Sequence, residues 1–339
     1  MNKLNRWPFS RKTNLFYVML ILFLLLIPFF VRNPYILHVL IMLFFYAYLG
    51  GAWNILGGYT GQSSFCSAAF FGVGAYTSTL LYIHWGLSPW IGMWLGGVVA
   101  VVIGTFIGFL SFRYGIRGIY FVLITLCFGE IVYLIVLNWN IFGGASGILI
   151  PLRGNSFSHF QFTSKVPYYY IILSLMLLTA FFTYKLERSR FGDFFIAIRE
   201  DEDAAEVLGI NTTHYKLISM AISCFCMALG GTFYAQYMLY IQQDITLSGT
   251  LSIEITFCAI AGGLGTIWGP LIGSSVLTIF SEISRVTLGR YRGMHLMVYG
   301  VFVVLIMLYM PQGLLPGLKG AYKKLRGERG KQRDVVSGM

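Results

Sequence analysis

Between Asn33 and Phe112 the chain carries no Asp, Glu, Lys or Arg. A spanning helix needs about 20 apolar residues to cross about 30 Å of hydrocarbon, so this run is too long for one crossing. It is punctuated at Gly57-Gly58 and near Trp85–Pro89, and divides into three predicted spans, Tyr35–Leu56, Ser63–Ile83 and Pro89–Phe112. Leu15–Val31 precedes it. Ile119–Trp139, Tyr168–Tyr184, Leu217–Ile241, Leu251–Trp268, Leu271–Ile283 and Met294–Met310 follow. The pair between Leu251 and Ile283 is short and glycine-rich and reads equally as one re-entrant hairpin. Composition agrees: 57% of residues are apolar and 11% charged, against about 45–50% and about 25% in soluble domains. So few charges cannot clothe a soluble globule, and so much apolar sequence excludes disorder. The predicted fold is all-α, a polytopic transmembrane helical bundle of about ten spans. It divides into a basic N-terminal segment 1–14, a single transmembrane domain 15–318 and a basic tail 319–339. Leu15–Val31 follows four basic residues but lacks a small-x-small cleavage site, so it is read as a retained span rather than a signal peptide.

Basic residues set the orientation of such a bundle. With ten spans, 18 of the 24 Lys and Arg fall on the side that holds both ends, Arg113, Arg117 and the segment Lys185–Lys216. Arg32, Arg153, Lys165, Arg285, Arg290 and Arg292 fall on the other. Both termini are therefore expected in the cytoplasm, with Arg113 and Arg117 anchoring a span. The net charge of +11 is a topology signal, because the basic residues flank spans and form no basic-aromatic patch for nucleic acid. Small residues recur every four positions at Gly96, Ala100, Gly104 and Gly108, at Gly265, Gly269 and Gly273, and at Ser64, Ala68 and Gly72. Such stripes let helices approach closely in lipid.

Several chemistries lack their residues. Cys66, Cys127, Cys224, Cys226 and Cys258 lie in apolar runs and read as small buried hydrophobes, not as a redox or metal site. The sequence has no phosphate-binding G-x-x-x-x-G-K-[ST] loop, and His38, His84, His159, His214 and His295 are scattered. No catalytic constellation emerges, so an enzyme is not expected. An acid at mid-span usually faces a cavity or a partner. Glu130 is therefore either a pathway lining or a carboxyl packed between helices, whereas Glu254 and Glu282 lie near span ends, within reach of interfacial water. Asn54, Thr60, Gln62 and Ser63 surround the Gly57–Gly61 break. That break either frees backbone to line a cavity or is a short loop. Gly262, Gly263, Gly265 and Thr266 form a similar break in the second half.

The segment Lys185–Lys216 holds seven of the 13 acidic residues, with Phe194, Phe195 and Ile198 at helical spacing. Glu200–Glu206 predicts a short helix stopped at Gly209. A charged face with one apolar edge suits docking to another protein; a solvated connector has the same composition.

Asp203-Ala204-Ala205-x-x-x-Gly209 resembles the cytoplasmic EAA-x-x-x-G loop of ABC-importer permeases, with Asp for the usual Glu and without the later Ile-x-Leu-Pro. Four further blocks, in order along the chain, resemble branched-chain amino acid permeases of the LivM type. They are Gly57–Ser63 continuing through Ala68–Tyr76, Arg117–Phe121 with Thr125 and Glu130, Phe191-Gly192 through Ala197–Glu200 with Glu202–Glu206, and Ala261–Thr266 with Trp268-Gly269-Pro270. The resemblance implies a translocation subunit that imports Leu, Ile or Val on ATP hydrolysed elsewhere. It implies a homologous second permease, two ATP-binding subunits and a periplasmic or extracellular solute-binding protein. It implies no cofactor on this chain, ATP and Mg belonging to the partners, and a place in the bacterial plasma membrane. The expected ATPase-coupling residues are Arg199, Glu200, Asp203, Ala204, Ala205 and Gly209. The expected pathway residues are Asn54, Gln62, Ser63, Tyr120, Thr125, Glu130, Gly262, Gly263 and Thr266. Urea, short amides and other amino acids use permeases of similar look, and a self-sufficient secondary transporter is the alternative mechanism.

Overall fold

Proline opens three of the long helices, at Pro34, Pro89 and Pro167. There its fixed φ suits the first turn and its missing N–H is one the helix does not use. The computed structural model describes residues 11–30, 33–288, 293–310, 313–315 and 317. The helices are α1 (Arg11–Phe30), α2 (Pro34–Asn54), α3 (Ser67–Trp85), α4 (Pro89–Arg113), α5 (Gly118–Asn138), α6 (Val166–Glu187), α7 (Arg190–Glu200), α8 (Glu202–Val207), α9 (Thr212–Met238), α10 (Gln243–Thr246), α11 (Gly249–Gly262), α12 (Gly269–Leu288) and α13 (Met294–Tyr309). A π-turn, Ile55–Tyr59, continues α2. Two short strands, β1 (Ile148–Leu149) and β2 (Tyr240–Ile241), pair antiparallel with Ile148 opposite Ile241.

Among the described residues, seven helical stretches are long and apolar enough to cross a bilayer: 34–59, 89–113, 118–138, 166–187, 212–238, 243–262 and 269–288. The expectation of about ten is therefore met only in the helical, multi-pass character of the chain. α3 falls outside the seven because it is rich in Ser, Thr and Tyr. It is largely enclosed by other helices and needs no lipid-facing surface. It also begins at Ser67 rather than Ser63, because the residues after the π-turn are irregular. α13, at 16 residues, is short. The basic segments 1–10 and 319–339, and Arg32, Arg290 and Arg292, lie outside the described residues.

α9 forms the axis of the bundle, packed along α3 and α4, while α2 lies against α6, α11 and α12. The small residues of α4 make this possible. A Cβ on Gly96 would stand 3.1 Å from the Gly74 carbonyl, and one on Gly104 would stand 2.3 Å from Cys224 Sγ. Gly269 and Gly273 likewise bring α12 onto α11, but Gly265 lies in the turn before α12. Ser64 lies before α3, so Ser64, Ala68 and Gly72 do not form one helix face. α5 stands apart: Phe121, Thr125 and Val136 are its buried residues, and the rest of its 21 positions are half-buried or exposed.

Candidate functional site

The polar segment between α6 and α9 folds into two helices. Ser189 caps α7, accepting a 3.4 Å hydrogen bond from Gly192 N. Phe195 and Ile198 turn inward, and Phe191 and Phe194 pack on Tyr215 of α9. α7 ends at Glu200, and extended Asp201 caps α8 by accepting from Ala204 N at 3.0 Å. The expected helix over Glu200–Glu206 is thus α8, starting two residues later and ending one later; an Asp two positions before Asp203 is the cap signal that marks its start. Gly209 sits at φ +83°. Its N–H donates to Glu206 O at 2.9 Å and that of Ile210 to Ala205 O at 3.1 Å, the paired bonds that close a helix through a left-handed residue.

α8 is fastened on two sides by charge. Arg117, immediately before α5, reaches Asp203 Oδ1 with Nη1 at 2.6 Å, Glu202 Oε2 with Nε at 3.3 Å and Glu206 Oε1 with Nη2 at 4.0 Å. The hydrogen bond to Asp203 and the charges of the three acids hold the guanidinium above its usual pKa. On the other side the Lys216 ammonium of α9 pairs with Glu202, and Thr212 Oγ1 donates to Glu206 Oε1 at 2.6 Å. Arg117 is therefore more than the span anchor expected of it. Ala205, expected to face a partner, is 2% exposed and packs inside the chain. The outward residues include Val207 at 88% and Leu208 at 79% exposure, which the motif does not mark.

Arg199 also turns inward. Its Nη1 donates to Gly58 O at 3.0 Å, while Nε and Nη2 hold Glu200 Oε1 at 3.2 and 2.7 Å. Gly58 belongs to the π-turn, which meets the second glycine break. Asn54 Nδ2 donates to Thr266 O and Asn54 Oδ1 accepts from Gly265 N, both at 2.9 Å. A Cβ on Gly58 would stand 1.9 Å from Asn54 Oδ1, and one on Gly265 2.4 Å from Arg199 Nη1. α7 and both glycine breaks are thus one close-packed node. The cavity beside Asn54, lined also by Tyr48, Met176 and Thr179, holds about 20 Å³, near the size of one water.

This geometry sorts the expected pathway residues. Asn54, Gly262 and Gly263 are buried in the node, and Thr266 Oγ1 bonds Gly263 O at 2.7 Å. Gln62 is 8% exposed, and Ser63 beside it is half-buried. Thr125 is wholly buried and accepts from Phe65 N at 3.1 Å, fastening α5 to the loop before α3. Tyr120 and Glu130 lie on the opposite, exposed face of α5. With Leu123, Cys127 and Leu134 they make a stripe at alternating three- and four-residue steps, the spacing of a seam between helices. Cys127 is therefore exposed, against the expectation for the cysteines, while the other four are buried or half-buried. Glu254 is half-buried and accepts from Tyr46 OH of α2 at 3.0 Å.

The family described as "Branched-chain amino acid transport system / permease component" matches residues 35–307. The high-affinity branched-chain amino acid transport system permease protein LivM of Salmonella typhimurium is 29% identical over 94% of this chain and 78% of its own length. LivM of Escherichia coli is 28% identical over 93% and 78%. The high-affinity branched-chain amino acid transport system permease protein LivH of Escherichia coli is 30% identical over 42% of this chain and 44% of its own length. No solved structure gives a significant match.

Proposed function

The chain belongs to the family of branched-chain amino acid transport permease components, and from that premise we propose that it carries Leu, Ile and Val inward across the bacterial plasma membrane. ATP and Mg are bound by two separate ATPase subunits, a second, homologous permease completes the membrane unit, and a periplasmic or extracellular binding protein delivers the substrate. Both termini and the α7–α8 segment face the cytoplasm, as the distribution of basic residues favours.

The observation that carries this reading is α8. It is a capped helix of six residues with Val207 and Leu208 projecting from its end, and it is fastened by ion pairs to α5 and α9. A solvated connector has no use for two exposed apolar residues beside a rigidly held helix; a docking helix does. α5 supports the second permease. A carboxylate on the outward face of an otherwise apolar helix is costly against lipid, and a partner helix on the stripe from Tyr120 to Leu134 removes it from lipid. Glu130 then lines the boundary between the two permeases, where its charge suits the ammonium group of an amino acid.

The test is co-purification from detergent. Val207→Asp with Leu208→Asp leaves the fold intact and releases the ATPase subunits. Retention of the ATPase by this variant, with normal uptake, refutes the docking role.

A further inference from the structure

We propose that Arg117 is the positioning residue through which movement of α8 reaches α5; the inference rests on the reading of α8 as the ATPase-docking helix. Arg117 spends three nitrogens on three carboxylates of one short helix, Glu202, Asp203 and Glu206. Only a guanidinium fork matches that arrangement; an ammonium on a flexible stem is a point charge. The residue stands in extended backbone directly before α5, so no intervening chain absorbs a displacement.

The packing decides which neighbour of α8 yields. α9, held by Lys216 and Thr212, buries 14 residues within the bundle. α5, held by Arg117, buries three. A push on α8 meets a wedged helix on one side and a lightly seated one on the other, and the lightly seated helix carries Glu130 and the exposed stripe. The pair between Arg117 and Asp203 is not what holds the fold. Side-chain exposure is 40% for Arg117 and 80% for Asp203, and exposed pairs contribute at most about 1 kcal/mol. Their geometry suits transmission better than stability.

The experiment uses the full complex in proteoliposomes, with leucine uptake and ATP hydrolysis measured on the same preparation. Arg117→Gln keeps subunit stoichiometry and basal hydrolysis, and leucine moved per ATP falls roughly tenfold, within the range of ordinary couplings between sites. Arg117→Lys recovers part of the loss. The exchange Arg117→Asp with Asp203→Arg transports better than Arg117→Asp alone. Unchanged leucine per ATP in Arg117→Gln overturns the inference, as does an exchange no better than its single parent. Loss of the ATPase from Arg117→Gln also overturns it, because Arg117 then merely holds the docking helix in place. Absence of ATP-dependent uptake by the wild-type complex sinks the permease reading itself, and is told apart because no variant is needed to see it.

Discussion

Glu202 and Lys216 form the most buried charged contact of the candidate site, with side-chain exposures of 14% and 2%. The two ends of the pair are not equivalent. Glu202→Gln leaves the Lys216 ammonium buried, with the Phe112 ring 5.3 Å away and no carboxylate paired to it. Breaking a buried pair from one side costs about 3–5 kcal/mol; a glutamine carbonyl still accepts one hydrogen bond, which places the cost near 3. Lys216→Met keeps the apolar stem and leaves Glu202 paired with Arg117 at 3.3 Å, so about 1–2 kcal/mol is lost, the worth of a charged hydrogen bond. Removing both charges together abolishes the desolvation as well as the attraction, and the double variant should lie within about 1 kcal/mol of wild type. Hydrogen exchange over residues 204–216 reads these as local opening energies. At 1.4 kcal/mol per decade, Glu202→Gln accelerates exchange about 100-fold and Lys216→Met about 5- to 30-fold, with the double variant near wild type. Equal effects of the two single changes, or a double variant as open as Glu202→Gln, would refute the claim that a buried, asymmetric pair holds α8.

At Gly209 a side chain meets nothing within 4 Å, so only the left-handed backbone opposes substitution. Gly209→Val should cost about 1–2 kcal/mol of strain and weaken ATPase co-purification, whereas Gly209→Asn, which tolerates that backbone, should not. Glu130→Gln should reach the membrane at wild-type levels and lower leucine uptake; unchanged uptake would return Glu130 to a packing role. Leu208→Cys should react with an impermeant thiol reagent only in inverted vesicles, and Phe157→Cys, exposed in the segment between α5 and α6, only from the opposite side.

The long helices were legible because their signal is local. α4 runs Pro89–Arg113 against a predicted Pro89–Phe112, and α5 runs Gly118–Asn138 against Ile119–Trp139. The stop at Gly209 was legible for the same reason: a glycine after a short acidic helix has one common use. α8 itself spans too few residues to show a face, so nothing in the motif told that Ala205 points inward while Val207 and Leu208 point out. The two glycine breaks were visible as breaks. Their meeting through Asn54 and Gly265 joins residues 211 apart, and the grip of Arg117 on Asp203 joins residues 86 apart. Contacts at such separations come from packing, which periodicity does not encode. The exposed stripe on α5 stayed hidden because, Glu130 apart, its positions are about as apolar as the buried ones, so burial and lipid exposure leave nearly the same sequence.

The proposed role of this chain is the passive membrane path of an ATP-driven importer. It is tested most directly by proteoliposomes that contain the chain, its homologous permease and the ATPase subunits, with binding protein outside and ATP inside or withheld. Labelled leucine should accumulate against its gradient only with ATP, the ATPase subunits and the binding protein all present. Accumulation by the chain alone, driven by a proton or sodium gradient and indifferent to ATP, would contradict it.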